Sequence, residues 1–153
     1  MKKKLKIQSG AAVVEFALIL PILILLLFGV IEFGTLMYNQ QVLTNASREG
    51  ARAGIVAGIP RLPYYGGDTS CTSPPISIEA VVQCYAKNHL ITFGSTNLLP
   101  APTITPPYDP NAPFGTDLEV TVNYNFEFLV IPNFIPGINR LRAMSAETLM
   151  KYE

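Results

Sequence analysis

Three places in this 153-residue chain have a residue set that points to chemistry. The first is the Gly10–Ala11 junction, a bond between two small residues, with Glu15 and Phe16 just beyond it. The second is the pair Cys71 and Cys84, the chain's two cysteines, which fit neither a CxxC nor a Cys/His metal spacing. In an exported domain they can close one disulfide, which for a loop this short stabilises by about 3 kcal/mol in the chain-entropy picture; in a reducing compartment they stay as two buried thiols. The third is His89, the one histidine, at the end of an expected helix with no evident nucleophile or metal partner. A Ser/His/Asp set, a GxSxG elbow, an HExxH helix, a phosphate-binding glycine loop and an EF-hand are all missing from the sequence. The reading is therefore of a non-enzymatic chain with no metal and no cofactor implied.

The elements that must hold these residues start with a long apolar run. Phe16 to Ile31 reads FALILPILILLLFGVI without a charge. Sixteen residues rise about 24 Å as a helix, short of a bilayer core of about 30 Å, and extension back to Ala11 gives enough length to cross. The run is apolar on every side, whereas a soluble helix keeps one face for water. Extension to Ala11 brings in Glu15, and a carboxylate inside a membrane segment is a functional candidate by default. Pro21 removes one backbone hydrogen bond and is expected to kink the helix. Glu32 is expected at the interface, with Phe33 and Tyr38 in the aromatic belt.

Charge sets the expected orientation. Hydrophobic residues are 49% of the chain, charged residues 14%, mean hydropathy +0.31 and net charge zero. Lys2, Lys3, Lys4 and Lys6 precede the apolar run, so the remaining seven basic residues face eleven acids, a net charge of −4. Basic residues stay on the cytoplasmic side, which puts the C-terminal part outside the cell membrane. With no basic face beyond the leader, nucleic acid is not an expected partner.

The position of the small residues distinguishes two kinds of processing. A secretory signal is cut after its apolar region at a small-x-small site, and the nearest such match, Ala51-Arg52-Ala53, lies twenty residues past the span. Gly10 instead comes directly before the run, where cutting removes the lysines and leaves the whole hydrophobic helix. A short Lys-rich leader, Gly10 before the cut, Ala11 as new first residue and Glu15 as new fifth together resemble a type IV prepilin leader. Glu15-Phe16 is the form seen in the Flp/Tad branch. From Gly10 to about Gly58 the sequence resembles the TadE-like family of minor pseudopilins, with Ile31 to Gly34 (IEFG) and Arg48 to Arg52 (REGAR) as its firmest matches.

That resemblance implies a set of expectations. A prepilin peptidase cuts between Gly10 and Ala11, glycine being required because a Cβ would obstruct close approach of an extended backbone. The mature protein sits in the cytoplasmic (inner) membrane as a single-pass protein and acts with other pilins or pseudopilins and the assembly machinery of a Tad-type adhesive pilus. Glu15 lies four residues from the new α-amine of Ala11, on the same helix face. A neighbouring subunit's amine would satisfy the carboxylate and set axial register. An uncleaved, permanently anchored scaffold that binds other envelope components is the alternative.

Beyond the span the helical pattern continues to Gly58 and Pro60. Ala46, Gly50, Gly54 and Gly58 recur every four residues and form a face of small residues open to close packing, against the chain's own domain or against a neighbour's helix. Glu49 and Arg52 are spaced for an ion pair. Ile59 to Pro75 reads as loop, Ser77 as cap of a helix from Ile78 to about His89, and Leu98 to Pro113 as a second loop with a short edge strand at Thr103 to Thr105. Leu118, Val120, Val122, Tyr124, Phe126 and Phe128 alternate with polar residues, the mark of a strand with one wet face. Pro132, Pro136 and Gly137 make a turn, and Leu141 to Tyr152 returns antiparallel with Met144, Ala146, Thr148 and Met150 on one face. The expected organisation is a basic leader (1–10), a transmembrane helix (11–36), its extracytoplasmic continuation (37–58) and a small α+β domain (59–153). The fold class is α+β and pilin-like, a long N-terminal helix packed on a small antiparallel sheet with one further short helix.

Overall fold

The computed structural model describes residues 9–56, 71, 77–93, 99–109, 111–130, 137 and 139–152. Its first element is α1, Ser9–Ile55, 47 residues without interruption, about 70 Å of helix. The helix runs unbroken through Pro21. It ends at Ile55, where the Val56 N–H still bonds the Arg52 carbonyl at 3.0 Å. The expected stop at Gly58 and Pro60 lies outside the described residues, as do the loop Ile59–Ser70 and the turn residues Pro132 and Pro136.

The outer part of α1 carries a head. Helix α2 spans Ile78–His89, and its N-cap Ser77 accepts a hydrogen bond from the Ala80 N–H at 3.0 Å, which satisfies one of the orphan donors of a first turn. Strands β1 (Ala101–Thr105), β2 (Asp117–Glu127) and β3 (Leu141–Lys151) form one antiparallel sheet in the order β1-β2-β3. The edge strand starts at Ala101, two residues ahead of the expected Thr103, and so includes Pro102. An edge strand tolerates proline because one side of its backbone has no partner to lose.

Register turns the alternation of β2 into two faces. Leu118, Val120, Val122, Tyr124 and Phe126 are all buried. Opposite them on β3 stand Met150, Thr148, Ala146, Met144 and Arg142, so the four residues expected on one face of the return strand do share it. This inner face packs on α1 and α2, with Leu43, Ala46, Ala51, Ile55 and Val82 completing the core. The fold is the expected α+β plan, a long N-terminal helix with one short helix and a three-stranded antiparallel sheet.

One local expectation fails. Among the described residues the ion pairs are Arg140–Glu127 at 2.9 Å and Lys151–Asp117 at 2.6 Å; Glu49 and Arg52 do not pair. Both side chains are exposed on α1, where a pair gains little over separate hydration and must hold two long side chains in place.

Candidate functional site

The long helix is two different objects along its length. From Gly10 to Ile31 it stands clear of the head, and Val13, Phe16, Leu18, Ile22, Leu26 and Val30 are each 60% or more exposed. This helix is long and apolar enough to cross a membrane, and none of its most hydropathic stretch is buried inside the protein. From Glu32 onward a stripe of residues at helical spacing goes under the head. Glu32, Asn39, Val42, Leu43, Ala46, Ser47, Gly50, Ala51, Gly54 and Ile55 are buried.

The polar members of that stripe are the surprise. Glu32 was expected to reach out to an interface; it is instead 2% exposed. Its Oε1 accepts the backbone N–H groups of Leu129, at 2.7 Å, and Val130, just past the end of β2. Seven residues on, Asn39 is fully buried and grips Ile91 from both sides. Its Nδ2 donates to the Ile91 carbonyl at 2.9 Å and its Oδ1 accepts the Ile91 N–H at 3.0 Å. Gln40 Nε2 donates to the Ser145 carbonyl at 2.8 Å, and Ser47 Oγ meets Thr148 Oγ1 at 2.7 Å. Together these contacts join α1 to three pieces of the head: the end of β2, the segment after α2, and β3. A carboxylate and an amide buried this deeply are costly unless fully bonded, and here the backbone of the two connections leaving α2 and β2 supplies the bonds. The sequence signal for the α1 half of this clamp is two polar residues seven apart on one helix face, Glu32 and Asn39; the backbone groups they bond carry none.

The small-residue face lies under the head as well. A Cβ built on Gly50 would come 2.5 Å from Val82 Cγ2, and one on Gly54 would come 2.7 Å from Leu118 Cδ2 and 2.8 Å from Ile78 Cδ1. Ala46 is fully buried beside them. The chain's own α2 and β2 therefore occupy the groove at these positions; Gly58 is outside the described residues. Cys71 and Cys84 are joined in a disulfide, tying the segment before α2 to the helix itself. His89 Nδ1 lies 2.8 Å from the Tyr85 carbonyl one turn back, and its ring stacks on Tyr85 at 4.4 Å.

At the other end of α1, Gly10, Ala11, Glu15 and Phe16 are exposed on the first turns of the helix. Glu15 has no hydrogen-bond or ion-pair partner among the described residues. It is seventeen residues below Glu32, about 25 Å along the axis. A Cβ on Gly10 would meet nothing within 4 Å. Nothing among the described residues requires glycine there, in contrast to Gly50 and Gly54. Gly29 and Gly34 are equally open, and glycine is common in such apolar helices.

An exposed apolar helix that continues into a small α+β head defines a protein with a membrane-anchor-like stalk and a pilin-like plan. Residues 10–52 match the family described as TadE-like protein, so this segment, which covers the bare helix and the α1 residues of the clamp, is similar to that family. The match relates the chain to Tad pilus proteins, a pilus-associated family and not an enzyme family. No curated protein and no solved structure matches the chain.

Proposed function

We propose that the protein is a minor pseudopilin that prepilin peptidase cuts between Gly10 and Ala11 and that then acts in assembly of a Tad-type adhesive pilus. The observation that carries this reading is the family match, which opens at Gly10 and runs along the exposed helix. The openness of Gly10 is compatible with it, since no described side chain packs against that position. Gly10 stands in the first turn of α1, whose leading N–H groups have no intrahelical acceptors, so unwinding it into an extended substrate costs little.

In this reading the lysines stay in the cytoplasm, residues 11–36 span the inner membrane with the turn after Ile31 in its interfacial layer, and the head stands outside the hydrocarbon. Glu15, without a partner among the described residues, takes the Ala11 α-amine of a neighbouring pilin or pseudopilin. A lone carboxylate in the bilayer costs about 3 kcal/mol or more, and the ion pair removes that cost only when subunits stand in the right axial register.

Intact mass of the protein from its host tests the cut. The expected product starts at Ala11, and a Gly10→Val variant keeps its leader. Normal cutting of Gly10→Val would remove the assignment of the site, and an untouched leader on the wild-type chain would favour a permanently anchored scaffold instead.

A further inference from the structure

The clamp at Glu32 fixes where the head sits along the helix, and this height has a consequence. The stretch from Ala11 to Ile31, apolar apart from Glu15, is 21 residues, about 31 Å of helix, which matches a hydrocarbon core of about 30 Å. Glu32 is the next residue. Its carboxylate holds the N–H groups of Leu129 and Val130, so the end of β2 is pinned at the level where the hydrocarbon stops. Side chains there are apolar and open. Leu129 is 44% exposed, and Leu141, paired with Glu127 across the hairpin, is 55% exposed. The Phe128 N–H bonds the Arg140 carbonyl at 2.9 Å, which holds the start of β3 to the same level. Arg140 and Arg142 stand at the start of β3, both exposed, Arg140 in its ion pair with Glu127 at 2.9 Å.

We infer that this end of the head is a second membrane contact, with Leu129 and Leu141 in the interface of the bilayer that α1 crosses and Arg140 and Arg142 at the level of its anionic headgroups. The inference rests on the reading of α1 as a membrane span. The occupant is lipid because the apolar rim is continuous with the apolar helix and held level with its upper end. Arginines that bury their stems and keep their charge among phosphates suit the same zone. Headgroups extend only about 5–8 Å beyond the hydrocarbon. Asn39 lies two turns above Glu32, so Ile91, which it holds, is about 10 Å higher and clears them. The contact therefore belongs to the β2–β3 end alone. Two points of attachment, one through the helix and one beside it, prevent the head from swinging about its stalk.

The chain has no tryptophan, so single tryptophans report their own surroundings. Leu129→Trp, Ile91→Trp, Phe114→Trp and Ile24→Trp are placed one at a time in the full-length chain, in vesicles of phosphatidylethanolamine and phosphatidylglycerol. All four side chains are 40–86% exposed, and the Glu32 contact uses only the backbone of residue 129, so the fold survives each change. Lipids brominated near the top of their acyl chains serve as quenchers. Leu129→Trp should emit blue-shifted and lose emission to bromolipid on a scale comparable to Ile24→Trp. Phe114→Trp, at the far end of the head and 86% exposed, should be quenched by aqueous acrylamide instead, with Ile91→Trp close to it. Leu129→Trp that behaves like Phe114→Trp while Ile24→Trp is quenched overturns the second contact and leaves the anchor standing. Loss of bromolipid quenching at Ile24→Trp overturns the anchor and this inference with it. A blue-shifted Leu129→Trp indifferent to bromolipid at high lipid dilution also overturns it, since protein and not lipid would then cover the rim.

Discussion

Gly50→Ala separates two uses of the small-residue face. The added methyl would lie 2.5 Å from Val82 Cγ2, against an ordinary contact of 3.4–4 Å, and 3.6 and 3.7 Å from Ile78 and Val120. Val82 is fully buried and β-branched, so its χ1 is confined in a helix and it cannot swing aside. The helix must move from α2 by most of an ångström, or Val82 must leave its rotamer. Overpacking of this kind costs about 1–3 kcal/mol. Against this, alanine gains up to about 1 kcal/mol over glycine inside a helix. The net expectation is a loss of about 1–2 kcal/mol, or a Tm lower by about 5–10 °C for a unit of this size, read by circular dichroism on the detergent-solubilised chain. Val82→Ala alone also destabilises, by the cavity it leaves. Combined with Gly50→Ala, the new methyl enters that cavity, so the double variant should be more stable than the sum of the singles by about 1 kcal/mol. A Gly50→Ala protein as stable as wild type, with normal additivity, would refute the reasoning. If that variant also failed to join pili, the groove would belong to a neighbour's helix after all.

Two further outcomes follow from the contacts that attach the head. Glu32→Gln keeps an oxygen to accept the Leu129 and Val130 amides and should retain most of their hydrogen-exchange protection, whereas Glu32→Leu abandons two charge-assisted bonds of about 1.5–3 kcal/mol each and should leave both amides fast-exchanging; equal protection in the two variants would show that the carboxylate is not the clamp. Cys71→Ser with Cys84→Ser opens a closure of 13 residues in sequence separation and should cost about 3 kcal/mol, seen as the same Tm drop on adding reductant to the wild-type protein; an unchanged Tm under reduction would mean that the bridge does not constrain the head.

How far the fold could be read from sequence depended on how locally each signal was written. The alternation of Leu118 to Phe126 gives strand and inner face at once because a period of two has one geometric solution. Ser77 marks the start of α2 because an N-cap satisfies a donor only two or three residues on. The TadE-like stretch was legible for the same reason: leader, Gly10, Glu15 and the apolar run are contiguous. The clamp was not, because Glu32 and Asn39 bond to backbone groups 52 to 98 residues away, and a backbone amide has no sequence signature.

The glycines make the same distinction on a single residue type. Gly50 and Gly10 are alike in sequence, each a small residue on a helix. Only the fold separates them: Val82 stands where a Cβ at Gly50 would go, and nothing stands near Gly10. The first glycine is thus explained within the molecule and the second is not. The same division holds for the acids, since Glu32 is fully engaged by its own chain while Glu15, on the same helix, finds no partner among the described residues. A residue whose cost is met internally needs no outside agent. Gly10 and Glu15 are both left open among the described residues, and they sit five residues apart at the end of the helix that faces away from the head.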